Sequence, residues 1–329
     1  MSDVLVTGGY GVIGSQVMRQ LVRENLRPVG MSRNPDLSFL ADISEAIDVA
    51  KGDITNLDDI LYVIERYRPT RIIHAANLID AESDPYMGFQ VGAVGTINML
   101  EAAKQKGIRR FVFTSSKGVY GQIRSGEHFH PTYAPVTEDH VRNPENDLVY
   151  PGAKILGENV GVAYQKRYGL EFAALRFGHT WGPGKLVRHG ILSLFSTLVE
   201  NAMLGRPTKI KQGAEQKDDI VYIKDAAQGI VKACLADEVP SNFYNISSGR
   251  LTSVGEFAEA LGKVVPGADV EIGPGLDYMG GNHPRYALFD ISRARRELGY
   301  EPQYADLEAG IRDYLETMKA FGLQPIASM

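Results

Sequence analysis

A short apolar run, followed at once by a glycine-rich turn and an amphipathic segment, is the feature that most restricts how this chain can fold. Residues 3–7 predict a strand, residues 7–14 read TGGYGVIG, and residues 12–25 predict a helix. Glycine lets the backbone turn tightly and approach a pyrophosphate, whose charge is stabilised by the free N–H groups at a helix N-terminus. The turn therefore predicts a dinucleotide site formed by Gly8, Tyr10, Gly11, Val12, Ile13 and Gly14.

Short apolar runs alternate with helical patterns through the first 180 residues. Predicted strands lie near residues 3–7, 27–31, 48–51, 71–75, 110–115 and 171–176, and predicted helices cover 12–25, 57–67, 94–106 and 153–168. This alternation is typical of parallel strands with helices on both faces of the sheet. The predicted fold class is α/β, a doubly wound parallel Rossmann sheet with a smaller C-terminal α/β cap. We expect an NAD(P)-binding domain at 1–177, with a returning contribution near 219–248, and a mainly substrate-binding cap at 178–329.

Composition narrows the classes of partner. Lys and Arg total 35 against 40 Asp and Glu, so the net charge of −5 offers no attraction for nucleic acid or an anionic membrane. Nowhere do 18 apolar residues run together, which argues against a membrane span. Cys234 is the single cysteine, and no basic, apolar leader pattern begins the sequence. We therefore expect a cytoplasmic protein that acts on a small molecule.

The end of the second predicted strand bears on which dinucleotide is bound. NAD-binding proteins of this fold place a carboxylate there to hold the ribose hydroxyls. This chain instead has Ser32 and Arg33, whose hydroxyl and guanidinium can hold a 2′-phosphate. NADP is therefore favoured over NAD. The alternative is that Arg33 is solvated in a surface turn and Asp36 or another group serves NAD.

A phenol and an ammonium stand four residues apart where a helix is predicted. Tyr150 and Lys154 therefore share one helix face. A tyrosine has an ordinary pKa of about 10, and a neighbouring cation favours its phenolate. Tyr150 is thus a candidate acid and base for a substrate alcohol or ketone while hydride moves to or from a nicotinamide. Ser116 follows the buried run 111–115 and can donate a hydrogen bond to the same substrate oxygen.

Taken together, these motifs resemble the extended short-chain dehydrogenases/reductases, also called NAD(P)-dependent epimerases/dehydratases. The resemblance covers nearly the whole chain and includes Gly95-Thr96, Leu175-Arg176, the Gly182-Pro183-Gly184 loop and Asn245-Ile246. It implies a Ser116, Tyr150 and Lys154 catalytic set, bound NAD(P), and a homodimer formed through helices at 94–106 and 153–168. The cofactor contacts that it implies or that the strand ends predict, beyond the glycine turn, are Ser32, Arg33, Asp53, Ile54, Ala75, Ala76, Tyr150, Lys154 and Phe177.

Three departures from the family pattern bear on the reaction and the substrate. Relatives that dehydrate 4-keto sugars have a Thr-Asp-Glu triplet where this chain has Ser116-Lys117-Gly118, so no acid pair for water loss is evident. Lys117 suggests an anionic substrate group, and a solvent-facing lysine is the alternative. His179 replaces an asparagine of many 4-epimerases, and Asp218 replaces an arginine, where a carboxylate is expected to repel a pyrophosphate. The candidate substrate residues are Lys117, His179, Arg188 and Arg285.

We therefore predict an NAD(P)-dependent oxidoreductase that interconverts a secondary alcohol and a ketone on a sugar-like or other polar small molecule. The alternatives are a sugar or nucleotide-sugar 4-epimerase that retains its cofactor, and a non-catalytic NADP(H) sensor. No metal is predicted, although the segments 127–130 and 139–140 bring histidines and carboxylates into one loop. The proposed chemistry already has an acid and a hydride carrier without a metal.

Overall fold

The computed structural model describes residues 2–78, 81–143, 148–186, 193–280 and 286–326. Its main sheet has seven parallel strands in the order β10-β6-β5-β4-β1-β2-β3. The strands are β1 (Val4–Thr7), β2 (Val29–Ser32), β3 (Asp48–Lys51), β4 (Arg71–His74), β5 (Arg110–Thr114), β6 (Glu171–Phe177) and β10 (Phe243–Ile246). The sheet is a Rossmann fold, as predicted, and its order reverses between β1 and β4, where ligands bind in such folds.

Helices cover both faces of this sheet because side chains on each strand alternate between two apolar layers. Val4 and Val6 pack in one cluster, whereas Leu5 packs in the other. The helices before residue 170 are α1 (Val12–Arg23), α2 (Leu57–Tyr67), α3 (Pro85–Phe89), α4 (Gly95–Gln105) and α5 (Val149–Tyr168), with a π-helical turn at Gln90–Val94.

Two smaller sheets and further helices form most of the second half of the chain. One sheet contains β7 (His179–Trp181), β9 (Lys217–Tyr222) and β11 (Leu251–Ser253), and the other pairs β8 (Thr208–Ile210) with β12 (Val270–Ile272). Their apolar cluster centres on Trp181, Phe195 and Phe257. The helices are α6 (Leu194–Met203), α7 (Ile223–Leu235), α8 (Val254–Val264), α9 (Ser292–Leu298) and α10 (Leu307–Ala320).

Most predicted elements agree with the structure to within a few residues. The main difference is α5, which begins at Val149 rather than at residue 153, so that Tyr150 lies in its first turn. Among the described helices, none has the length and apolar character needed to cross a membrane.

Candidate active site

The carboxyl ends of six parallel strands open into one cavity of about 840 Å³. This volume is within the range of ligand pockets, about 300–1,000 Å³. The cavity is lined by every residue predicted to contact the cofactor: Gly8, Tyr10, Gly11, Val12, Ile13, Gly14, Ser32, Arg33, Asp53, Ile54, Ala75, Ala76, Tyr150, Lys154 and Phe177.

The glycine turn has the backbone geometry that an anion site at a helix N-terminus requires. Gly8 has φ +69°, and a Cβ at this position would lie 2.8–2.9 Å from the backbone of Ala75 and Ala76. A Cβ on Gly14 would lie 2.1 Å from the carbonyl oxygen of Gly8. Helix α1 begins after Gly11 with no side-chain cap and no acidic residue in its first turn. The turn therefore fits a dinucleotide pyrophosphate.

The segments that follow β2 and β3 contribute polar groups to the cavity. Arg33 is exposed, has no carboxylate partner among the described residues, and lines the cavity beside Ser32 and Asp36. Asp53 accepts hydrogen bonds from the backbone N–H and hydroxyl of Thr55, at 2.9 and 2.8 Å. The carboxylate of Asp53 is therefore fixed by its own turn.

Lys154 is held next to the ring of Tyr150. Its side chain is buried, its Nζ donates to the carbonyl oxygen of Thr114 at 2.7 Å, and it lies 5.5 Å from the centre of the Tyr150 ring. Burial lowers the pKa of Lys154 to about 7, although the Glu158 carboxylate opposes this shift. The ammonium is thus close enough to favour a phenolate at Tyr150.

Tyr150 and Ser116 line the cavity together with Lys154. The Ser116 Oγ accepts a hydrogen bond from the Gly118 N–H at 3.0 Å, which orients the hydroxyl at the end of β5. The start of α5 is fixed by Glu82, whose carboxylate accepts from the N–H groups of Val149 and Tyr150 at 2.8 and 3.0 Å. Glu82 thus acts as the cap that the helix would otherwise lack.

A buried polar network includes Ser115, the residue that precedes Ser116. Ser115 donates to Glu158 at 2.7 Å, and Arg176 donates to both oxygens of the same carboxylate at 2.9 and 2.8 Å. Tyr120 receives a further hydrogen bond from Arg176. Because these bonds are charge-assisted and buried, they fix the end of β5 relative to α5 and β6.

On the cap side of the cavity, Asp218 is fully buried and binds three side chains. Its carboxylate accepts from Lys117 Nζ at 2.8 Å and from the Tyr278 hydroxyl at 3.1 Å, and it lies 3.4 Å from His179 Nδ1. Lys117 is therefore engaged with a carboxylate rather than solvent-facing, and the Asp218 that was expected to repel a substrate pyrophosphate is buried and paired with this lysine. Burial lowers the pKa of His179 to about 4, against the opposing effect of Asp218.

Two further observations concern a buried histidine and metal binding. His74 is buried between Thr7 and Thr96, at 2.7 and 3.1 Å, and is therefore a packed core residue. Over the described ranges, no three His, Cys, Asp or Glu side chains are grouped as a metal site would need.

Several residues of the site were not predicted from the sequence, and two predicted residues cannot be placed. Arg188 and Arg285, predicted as substrate residues, lie outside the described residues. Glu82 belongs to no motif of the sequence. Lys185 directly follows the Gly182-Pro183-Gly184 loop, but the resemblance of this loop to the family gave no reason to select Lys185. The cavity residues that sequence reasoning missed include Asn77, Glu82, Thr180, Lys185, Asp277, Met279 and Tyr286.

Comparison with known proteins identifies the family. The model of the NAD dependent epimerase/dehydratase family matches residues 4–247. The chain belongs to this family. UDP-glucose 4-epimerase of Mycolicibacterium smegmatis is 29% identical over 320 residues, covering 95% of this chain and 97% of that protein. The chain is therefore an NAD-dependent epimerase/dehydratase of the extended short-chain dehydrogenase/reductase type, an enzyme with a nicotinamide cofactor.

Solved structures of family members share the fold. UDP-glucose 4-epimerase of Thermotoga maritima, with UDP-glucose, has a TM-score of 0.81 at 22% identity, with 96% of this chain and 99% of that chain covered. UDP-glucose 4-epimerase of Thermus thermophilus, in complex with NAD, has a TM-score of 0.78 at 23% identity, with 96% and 99% covered. At these identities the likeness establishes the fold of this family member.

Proposed function

We propose that this enzyme transfers hydride reversibly at a secondary alcohol carbon of a nucleotide sugar, and that its net reaction is a 4-epimerisation. The observation that carries the proposal is that Ser116, Tyr150 and Lys154 line the same cavity as the glycine turn. An alcohol at one end of that cavity would thus meet a proton acceptor beside a dinucleotide site. A bound nicotinamide would supply the hydride acceptor and donor.

The three side chains have separate tasks in this reaction. Tyr150 takes the proton from the substrate hydroxyl and later returns it to the same oxygen. Lys154, within 5.5 Å of the Tyr150 ring, favours the ionised phenol when protonated. Ser116 donates a hydrogen bond that orients the reacting oxygen, since its own position is fixed by Gly118.

Epimerisation is favoured over dehydration because this chain lacks the acid pair that elimination requires. Lys117 and Gly118 follow the serine, and Lys117 is engaged with Asp218. A second candidate is a net dehydrogenase or reductase, favoured by His179 and Asp218, which replace the asparagine and arginine of many 4-epimerases. The two differ in whether reduced cofactor accumulates.

The test is an assay with UDP-glucose and UDP-galactose that follows the epimeric product by NMR and reduced cofactor by absorbance at the same time. A 4-epimerase forms the epimer without net NAD(P)H, whereas a dehydrogenase forms NAD(P)H in proportion to product. We expect Tyr150→Phe to lose at least about a hundredfold in turnover while binding cofactor normally. Near-normal turnover by Tyr150→Phe would contradict the mechanism. Conversion of neither sugar, together with no conversion of UDP-glucuronic acid or UDP-galacturonic acid, would contradict the substrate assignment.

Four further proposals accompany this function. NADP is the preferred cofactor, supported by the exposed Arg33 beside Ser32 at the cavity. Residues 178–329 mainly bind substrate, whereas residues 1–177, with a return near 219–248, bind the cofactor. The enzyme works in the cytoplasm, and it forms a homodimer through α4 and α5.

A further inference from the structure

Lys185 is a buried cation that the proposed mechanism does not use. Its side chain is 7% exposed and lines the cavity. Its Nζ donates to the carbonyl oxygen of Thr180 and, at 2.6 Å, to the Thr180 hydroxyl. Over the described part of the chain, no carboxylate lies within ion-pair distance of it. Burial among neutral partners disfavours the charged form of this amine, and an anionic group beside it would favour that form.

Lys117 is a second ammonium in the same wall. Its Nζ is paired with Asp218 at 2.8 Å, and its side chain is 15% exposed. Burial, together with the charge of Lys117, lowers the pKa of Lys185 to about 7. The two lysines therefore repel each other electrostatically, and of the two only Lys117 is paired with a carboxylate among the described residues.

Two carboxylates that line the cavity are already engaged with other groups. Glu82 caps α5 through two backbone N–H groups, and Asp277 accepts from the Tyr286 hydroxyl at 2.7 Å. Neither is paired with Lys185. An anion that enters the cavity would satisfy Lys185 and restore its full positive charge.

We propose that Lys185, assisted by Lys117, forms a subsite for an anionic substituent of the substrate, which makes the substrate an acidic nucleotide sugar carrying a carboxylate. This inference rests on the proposed function and narrows its substrate class. Lys185 is then a specificity-determining residue, because it recognises a group remote from the alcohol that reacts.

The test compares two probes that differ in the carboxylate alone, UDP-glucuronic acid and UDP-glucose. Their dissociation constants are measured by calorimetry on the cofactor-loaded enzyme. We expect the acid to bind at least about tenfold more tightly to the wild type, in keeping with one charge-assisted contact. Lys185→Met should abolish that preference with little change for UDP-glucose, and Lys185→Arg should retain it. Lys217→Met, which removes a half-exposed lysine outside the cavity, should behave like the wild type.

Four other results would separate the explanations. Equal binding of both probes to the wild type overturns the anionic subsite and leaves the proposed epimerase standing. A preference for the acid that Lys185→Met retains overturns the role of Lys185. Weaker binding of NADP alone to Lys185→Met would assign the anion to the cofactor's phosphates and overturn the subsite as well. If neither nucleotide sugar binds, the proposed function fails, and free glucuronate and glucose are compared instead. A preference for glucuronate that Lys185→Met removes supports the subsite, and any other result there overturns it.

Discussion

At the scale of single residues, two lysines of the cavity wall differ in their hydrogen-bond partners. Lys154 and Lys185 are both buried, and burial lowers the pKa of each to about 7. Lys154 is positioned by Thr114 and lies against Tyr150, whereas Lys185 is bound to Thr180. In our proposals, the same residue type therefore serves the proton chemistry at one position and substrate recognition at the other.

Arg33 provides a residue-scale test of cofactor choice. We expect the wild type to bind NADP more tightly than NAD, since the guanidinium can pair with the 2′-phosphate. Arg33→Ala should weaken NADP binding by about tenfold or more and leave NAD binding nearly unchanged. Both dissociation constants can be measured by fluorescence titration of the reduced cofactors.

Arg27→Ala is a suitable control because Arg27 pairs with Asp48 and does not line the cavity. A wild type that prefers NAD, with a ratio that Arg33→Ala leaves unchanged, would show that the second strand end does not select NADP.

At the scale of elements, the close approach of the π-helical turn at Gln90–Val94 to α5 explains why residue 92 is a glycine. The helix predicted from residue 94 is preceded by a π-helical turn at Gln90–Val94. A Cβ on Gly92 would lie 3.0 Å from the Cβ of Ala153 in α5. Glycine thus lets this turn pack closely against the helix that carries Tyr150 and Lys154.

We expect the homodimer to form at the outer face of α4 and α5. Tyr168 at the end of α5 is 54% exposed, and Phe89 at the end of the adjacent α3 is 50% exposed. Burying such aromatic side chains would stabilise an interface. Phe89→Glu combined with Tyr168→Glu should shift the protein from dimer to monomer in sedimentation velocity at micromolar concentration.

Tyr62→Glu is the matched control, because Tyr62 is 61% exposed on α2. It should leave the sedimentation coefficient unchanged. A monomeric wild type, or a dimer that survives the double substitution, would refute this interface.

At the scale of the whole molecule, a buried histidine links two strands and a helix of the main layer. His74 contacts Thr7 on β1 and Thr96 on α4, and burial lowers its pKa to about 3. The unfolded chain, with an ordinary histidine pKa of about 6.5, binds a proton that the folded protein excludes between these two values. This group therefore reduces stability progressively as the pH falls from about 6.5 towards 3.

The prediction is that His74→Asn makes the slope of the unfolding free energy against pH less positive, because the substitution removes a group that adds stability as the pH rises. Between pH 4 and 6, the difference in slope from the wild type should approach about 1.4 kcal/mol per pH unit. Asp219 and Asp225, whose pKa values burial raises to about 6, have the opposite effect on the slope and are present in both proteins. Urea unfolding at several pH values provides the measurement.

Thr96→Val separates titration from packing. It removes a hydrogen-bond partner of His74 and keeps the imidazole, so it should lower stability by a similar amount at every pH. Equal slopes for the wild type and His74→Asn would mean that His74 does not titrate as its burial implies.

The sequence determined the fold class and the outline of the site, because both depend on local patterns. Alternating strands and helices predicted the parallel sheet, and the glycine-rich turn between the first predicted strand and helix indicated a dinucleotide site. Ser116, Tyr150 and Lys154 could be found because strand ends and helical spacing bring such residues to one edge of a sheet.

Tertiary structure alone decided which charges are paired and which are buried. Asp218 looked like an obstacle to phosphate binding until its contacts with Lys117 and Tyr278 were seen, and Glu82 caps α5 from 67 residues away. Lys185 is distinguished only by its tertiary environment, because it is buried and has no carboxylate partner among the described residues. Ion pairing and desolvation depend on distances between segments remote in sequence, and these distances are fixed when the elements pack together.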